Sequence, residues 1–180
     1  MGEIKSTWDI VLEKTKTLEI TSKDREQIKR AGLNAKIHAI LNRYMDSRGN
    51  REYLKDGLEG LREEEREVVK RELLLQLMDS IDLAKDNGKA IAGIETLKGE
   101  KVAKVLRKLR LLTSEYRSSR EKKAREIEEV LRQTLAAMGI SGSAVEPSLE
   151  GKKEWIEAME GLERDYGKRL GALKEELLDL

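Results

Sequence analysis

Few residues in this chain could carry covalent or proton-transfer chemistry, and those few are scattered. One histidine, His38, and no cysteine occur in 180 residues. Imidazole and thiolate are the usual bases and nucleophiles near neutral pH, and no serine stands at a spacing typical of a Ser/His/Asp arrangement. His38 falls among Ala31, Ala35, Leu41 and Met45 at helical spacing, which reads as a structural residue on a packing seam. The triple acid Glu63, Glu64 and Glu65 suggests a carboxylate metal site at first sight. Di-iron bundles of that kind also carry a Glu-x-x-His pair on two helices, and this sequence has none. Three consecutive helical positions point in three directions, so these acids read instead as a solvated first turn. Gly88, Lys89 and Gly93 lack the G-x-x-x-x-G-K-S/T order of a phosphate-binding loop, and no strand precedes them. No catalytic residue, cofactor-binding residue or metal ligand set is therefore expected.

What remains is charge. Net charge is +1, but between Lys98 and Arg125 eleven cations face three acids, about +8. From Glu146 to Leu180 ten acids face six bases, about −4. At 100° per residue from Lys101, the cations Lys101, Lys104, Arg107, Lys108, Arg110, Lys122 and Arg125 occupy one side of a helix. They form a candidate basic interaction face that could follow the phosphates of a nucleic acid. The only aromatic among them, Tyr116, lies on the opposite face, so stacking on single-stranded bases is not indicated. A charged helix face is most often solvated or internally paired.

The element that carries this face is a long amphipathic helix spanning 101–138. Val102, Val105, Leu106, Leu109, Leu112, Tyr116, Ala124, Ile127, Val130, Leu131, Leu135 and Met138 fall within one sector of under half the circumference. The stripe resumes in phase after the polar run Arg117 to Lys123, which predicts one continuous helix about 57 Å long. Arg120 and Lys123 sit inside the apolar sector and mark a wet stretch or one facing a charged partner. After a linker at 139–151, which holds the only proline, a helix over 152–180 carries a second seam. Its members are Trp155, Met159, Leu162, Tyr166, Leu170, Leu173 and Leu177, spaced 4, 3, 4, 4, 3 and 4, a heptad pattern with one stutter.

Residues 1–100 read as a helical core region. A short amphipathic helix capped by Ser6 contains Trp8, Ile10, Val11 and Leu12. A second runs from a cap at Thr21 or Ser22 to about Ser47, with Ile28, Ala31, Ala35, His38, Leu41 and Met45 on one seam and Leu33, Ile37, Ile40 and Tyr44 beside it. The widest apolar face, Val69, Leu73, Leu74, Leu77, Met78, Ile81 and Ala84, belongs to a helix over 62–85. The segment 89–98 reads either as a short helix or as a hinge, because Gly93 interrupts Ile91, Ile94 and Leu97.

The charged, Leu-rich, Phe-free and Pro-poor composition leads to an all-α expectation. The fold expected is an elongated antiparallel helical bundle, one structural domain overall, with a long basic helix and a coiled-coil-like C-terminal helix. The opening MGEIKSTWDIVLEKT resembles a set of uncharacterised bacterial, mostly helical proteins. That resemblance covers fifteen residues and implies a bacterial cytosolic origin, but carries no activity with it. The opening lacks the apolar core of a signal peptide, and no run of about 20 apolar residues occurs, so no membrane insertion is expected. The functional expectation is a cytoplasmic, non-enzymatic adaptor or assembly protein that forms a homodimer through helical packing. A nucleic-acid-associated protein using the basic face is the alternative.

Overall fold

The computed structural model describes residues 21–47, 49–140, 142 and 147–180. The expected helix around Trp8 lies outside them. The chain is an all-α helical bundle whose described residues form six α-helices and one short 3-10 turn. None of the helices is long and apolar enough to cross a membrane.

Helix α1, Ser22–Asp46, starts at a reciprocal cap. The Asp24 amide donates to Thr21 Oγ1 at 3.2 Å and the Thr21 amide donates to Asp24 Oδ2 at 2.9 Å. This satisfies two amides that the first turn would otherwise leave unpaired. Of the two neighbouring seams, the bulky one packs: Ile37, Ile40 and Tyr44 are buried, while Ile28, Ala31, Ala35 and His38 are exposed. Two isoleucines and a tyrosine remove far more apolar area from water than alanines do, so the helix rotates to bury them. Gly49 closes this helix at φ 81°, its amide donating to Tyr44 O at 3.1 Å.

Helix α2, Glu52–Glu59, lies against α1 where Gly57 meets Ile40. A Cβ at Gly57 would stand 2.8 Å from Ile40 Cγ1, so glycine is what allows this close approach. Helix α3, Glu63–Asp79, opens on its three acids, and Glu65 takes an ion pair from Lys36 of α1 at 2.6 Å. Arg66 holds the turn between α2 and α3 by donating to the carbonyls of Leu58, Glu59 and Leu61. Val69, Leu73, Leu74, Leu77 and Met78 of α3 are buried, as their spacing demands.

This helix ends six residues before the sequence pattern suggests. Asp82 and Asn87 exchange a pair of bonds, Asp82 N to Asn87 Oδ1 at 3.0 Å and Asn87 Nδ2 to Asp82 O at 2.8 Å. That clasp folds 80–87 into a loop which buries Ile81 and Leu83 and leaves Ala84 exposed. Helix α4, Gly88–Lys98, follows, so the ambiguous segment is helical. Ala90, Ile91, Gly93, Ile94 and Leu97 are all buried, and Tyr44 Oη donates to Lys89 O at 2.6 Å.

A 3-10 turn, Gly99–Val102, leads into α5, Ala103–Ala137. The stripe is carried by one unbroken helix of 35 residues, about 52 Å long. Helix α6, Lys153–Asp179, returns along it. Lys108 pairs with Glu176 at 2.8 Å, Glu115 with Arg169 at 2.8 Å, and the hydroxyls of Ser119 and Tyr166 meet at 2.8 Å. Residue numbers rise on one helix as they fall on the other, so α5 and α6 are antiparallel.

Candidate interaction surface of the long helix

Helix α5 has two halves with different surroundings. From Val105 to Tyr116 the stripe is core: Val105, Leu106, Leu109, Leu112 and Tyr116 are buried beneath α4 and α6. Beyond Tyr116 no residue of the helix is buried. Ala124, Ile127, Leu131 and Leu135 are half-buried, while Val130 is 62% and Met138 70% exposed. The seam of α6 divides in the same way. Leu170 and Leu177 are buried, Leu162, Tyr166 and Leu173 pack on the core edge, and Trp155 and Met159 are half-buried. Two helices alone shield only one side of each other, and the distal part of this hairpin shows that deficit.

At the junction of the halves Tyr116 and Tyr166 meet edge to face, centroids 5.5 Å apart at 72°. Burial, and then the Glu163 carboxylate, push the Tyr116 phenol above its ordinary pKa. Arg169 extends over the Tyr166 ring at 5.1 Å from its centroid, and its hydrogen bond to Glu115 raises its proton affinity further.

The basic face is dispersed rather than gathered. Lys101 joins Lys70, Arg71 and Lys98 around a concavity of about 600 Å³ floored by Leu74, Leu97 and Leu178. Lys98 there donates to Leu177 O at 2.8 Å, neutralising the exposed carbonyls at the end of α6. Lys108 is drawn to Glu176, and Arg125 to Glu121 at 3.5 Å. Lys104, Arg107 and Lys122 are exposed and make no ion pair with other described residues. Arg110 faces a separate concavity near the loop 80–87.

Two residues flagged as misfits in the apolar sector find partners. Arg120 sits 6.0 Å from the Trp155 ring centroid, and Lys123 pairs with Glu126 at 2.7 Å. The Arg120–Trp155 contact escapes sequence reasoning because its partners are 35 positions apart; the only signal was an arginine at an apolar phase. His38 is exposed on α1, although Leu41 and Met45 of the same expected seam pack against the core. Among the described residues no group of three or more His, Asp or Glu is placed to hold a metal ion. The carboxylates with shifted proton affinity, Asp24, Glu65, Asp82 and Glu126, all shift downward through hydrogen bonds from Thr21, Lys36, the Ala84 amide and Lys123 respectively.

No protein-family model, curated protein or solved structure matches this chain.

Proposed function

We propose that this chain is a non-enzymatic assembly protein whose distal α5–α6 hairpin joins a second copy into an intermolecular four-helix bundle. The observation that carries the reading is the half-covered seam: Ile127, Leu131, Leu135 and Met159 hold helical phase and stay only half-buried, with no third layer over them among the described residues. Its rim suits self-association. Residues 121–138 carry four cations and four acids, and several are already paired within the helix, as in Arg132–Glu129 and Arg125–Glu121. A balanced rim of this kind does not repel its own copy.

The size of the face sets the expected strength. Two helices about 20–25 Å long and 10 Å across offer on the order of 500 Å² per copy, about 1,000 Å² in all. That is the lower bound for a specific interface, so the dimer should be reversible and concentration-dependent. Light scattering over a concentration series should show a monomer–dimer equilibrium, and Leu131→Glu with Leu135→Glu should leave only monomer with unchanged helicity. A monomer at every concentration in the unaltered protein ends the proposal. The placement in a bacterial cytoplasm rests on the N-terminal resemblance alone. In the alternative reading, nucleic acid would engage Lys104 and Arg107, and a Lys104→Glu, Arg107→Glu variant would lose salt-sensitive binding.

A further inference from the structure

Two concavities open side by side along α5, and Arg117 lines both. The first, about 300 Å³, is bounded by Lys85, Arg110 and Arg117 with the hydroxyl residues Thr113 and Ser114. The second, about 440 Å³, is bounded by Arg117 and Arg120 together with Ala84, Ala124, Leu149 and Trp155. Arg110, Arg117 and Arg120 are spaced by seven and three, which places them along one flank of the helix over a run of about 15 Å.

Like Lys104, Arg107 and Lys122, these three guanidiniums take no carboxylate partner among the described residues. Ten Lys or Arg side chains form ion pairs with carboxylates among the described residues, and none of the three is among them. Two are nevertheless held in place. Arg117 Nη2 donates to Lys85 O at 3.2 Å, and Arg120 lies over the Trp155 ring. Each concavity also holds one acid: Asp86, whose Oδ1 accepts the Gly88 amide at 2.9 Å, lines the first, and Glu121, paired with Arg125 at 3.5 Å, lines the second. Thr113 spends its hydroxyl proton on Arg110 O at 3.0 Å. With Lys85 drawn to Asp82, three guanidiniums face two carboxylates, and the concave surface keeps a net positive charge because guanidinium does not deprotonate. Beside it lies a shelf made of methyl groups and one indole ring.

We infer that the paired concavities bind a phosphate ester carried on a planar ring, the chemistry of a nucleotide. The phosphate oxygens match the planar forks of Arg110 and Arg117, and the ring fits the apolar shelf at Trp155. A simple inorganic anion would use only the first concavity, and an uncharged aromatic only the second.

The test uses Trp155 as its own reporter. A Trp8→Phe variant leaves it the only tryptophan of the chain. Its fluorescence is titrated with inorganic phosphate, adenosine monophosphate and a short single-stranded oligonucleotide. The nucleotide or the oligonucleotide should quench saturably, and inorganic phosphate should compete without quenching. Arg110→Glu and Arg117→Glu should each weaken binding about tenfold or more, whereas Lys104→Glu with Lys168→Glu, exposed and outside both concavities, should leave it unchanged. Arg110 and Arg117 are exposed, so far-UV circular dichroism should be unaltered in these variants. Equal affinity for nucleotide and oligonucleotide identifies a free nucleotide as the ligand. Affinity at least about tenfold higher for the oligonucleotide identifies a single strand, and either result supports the assignment. Absence of saturable quenching by all probes overturns it, as does equal loss in the Lys104, Lys168 variant.

Discussion

Glycine-to-alanine exchange at two helical positions should move stability in opposite directions, and the contrast tests the packing of the core. In α6, a Cβ at Gly167 would meet nothing within 4 Å. Alanine there gains the helix propensity that glycine lacks, about 1 kcal/mol. In α4, a Cβ at Gly93 would stand 2.8 Å from Leu77 Cδ1 and 3.1 Å from Tyr44 Cε1. Neither neighbour has room to withdraw. Leu77 and Tyr44 are both fully buried, and the Tyr44 ring is tied by its hydroxyl to Lys89 O. The propensity gain is the same in both helices, so it cancels in the comparison. What remains is overpacking at Gly93, about 1–3 kcal/mol. Urea unfolding followed by far-UV circular dichroism should therefore place Gly93→Ala below Gly167→Ala by that amount. In melting temperature each kcal/mol is worth about 2–4 °C at this chain length. Gly93→Ala equal in stability to Gly167→Ala, or above it, would refute the close approach of α1, α3 and α4 on which the core rests.

Three other outcomes follow from particular bonds. Tyr44→Phe removes a buried donor at 2.6 Å and should lower the unfolding free energy by about 0.5–1.5 kcal/mol, read as a lower urea midpoint at unchanged m-value; an unshifted midpoint would mean the bond is absent. Ser119→Ala and Tyr166→Phe should couple in a double-mutant cycle by about 0.5–1 kcal/mol, and strict additivity would place α6 in another register along α5. The Ala84 amide, foremost, and then Lys85 hold Asp82 below the ordinary carboxylate pKa. Its contribution is therefore complete above the unfolded-chain value of about 3.9 and is lost as pH falls through the lower folded value. Asp82→Asn should flatten the acid limb of the stability profile, and a limb as steep as that of the unaltered chain would contradict this.

The helices were legible where one apolar face had no competitor. Val69 to Met78 and Val102 to Tyr116 repeat at helical spacing with mostly polar residues elsewhere, Leu75 and Leu111 apart, and both stripes are buried. The phase of α5 across Arg117 to Lys123 was enough to announce a continuous helix, because a loop would have reset it. Where two seams competed, as on α1, spacing could not choose between them, and side-chain bulk did. Gly93 misled for a related reason: read locally it weakens a helix, whereas in the fold it is the notch that lets Leu77 and Tyr44 approach. The early end of α3 was equally hidden, since the Asp82–Asn87 clasp has no signature beyond two residues common in turns.

The sequence alone determined the all-α class, the long amphipathic helix, the C-terminal heptad helix and the separation of basic from acidic segments. All of these follow from properties that neighbours along the chain share, namely periodicity, propensity and local charge. Only the tertiary structure decided which parts of a uniform stripe became core. It also decided that Lys108 would answer Glu176, and that Arg120 would lie over Trp155. Burial and charge pairing depend on what arrives from elsewhere in the chain, and a one-dimensional pattern holds no record of those arrivals.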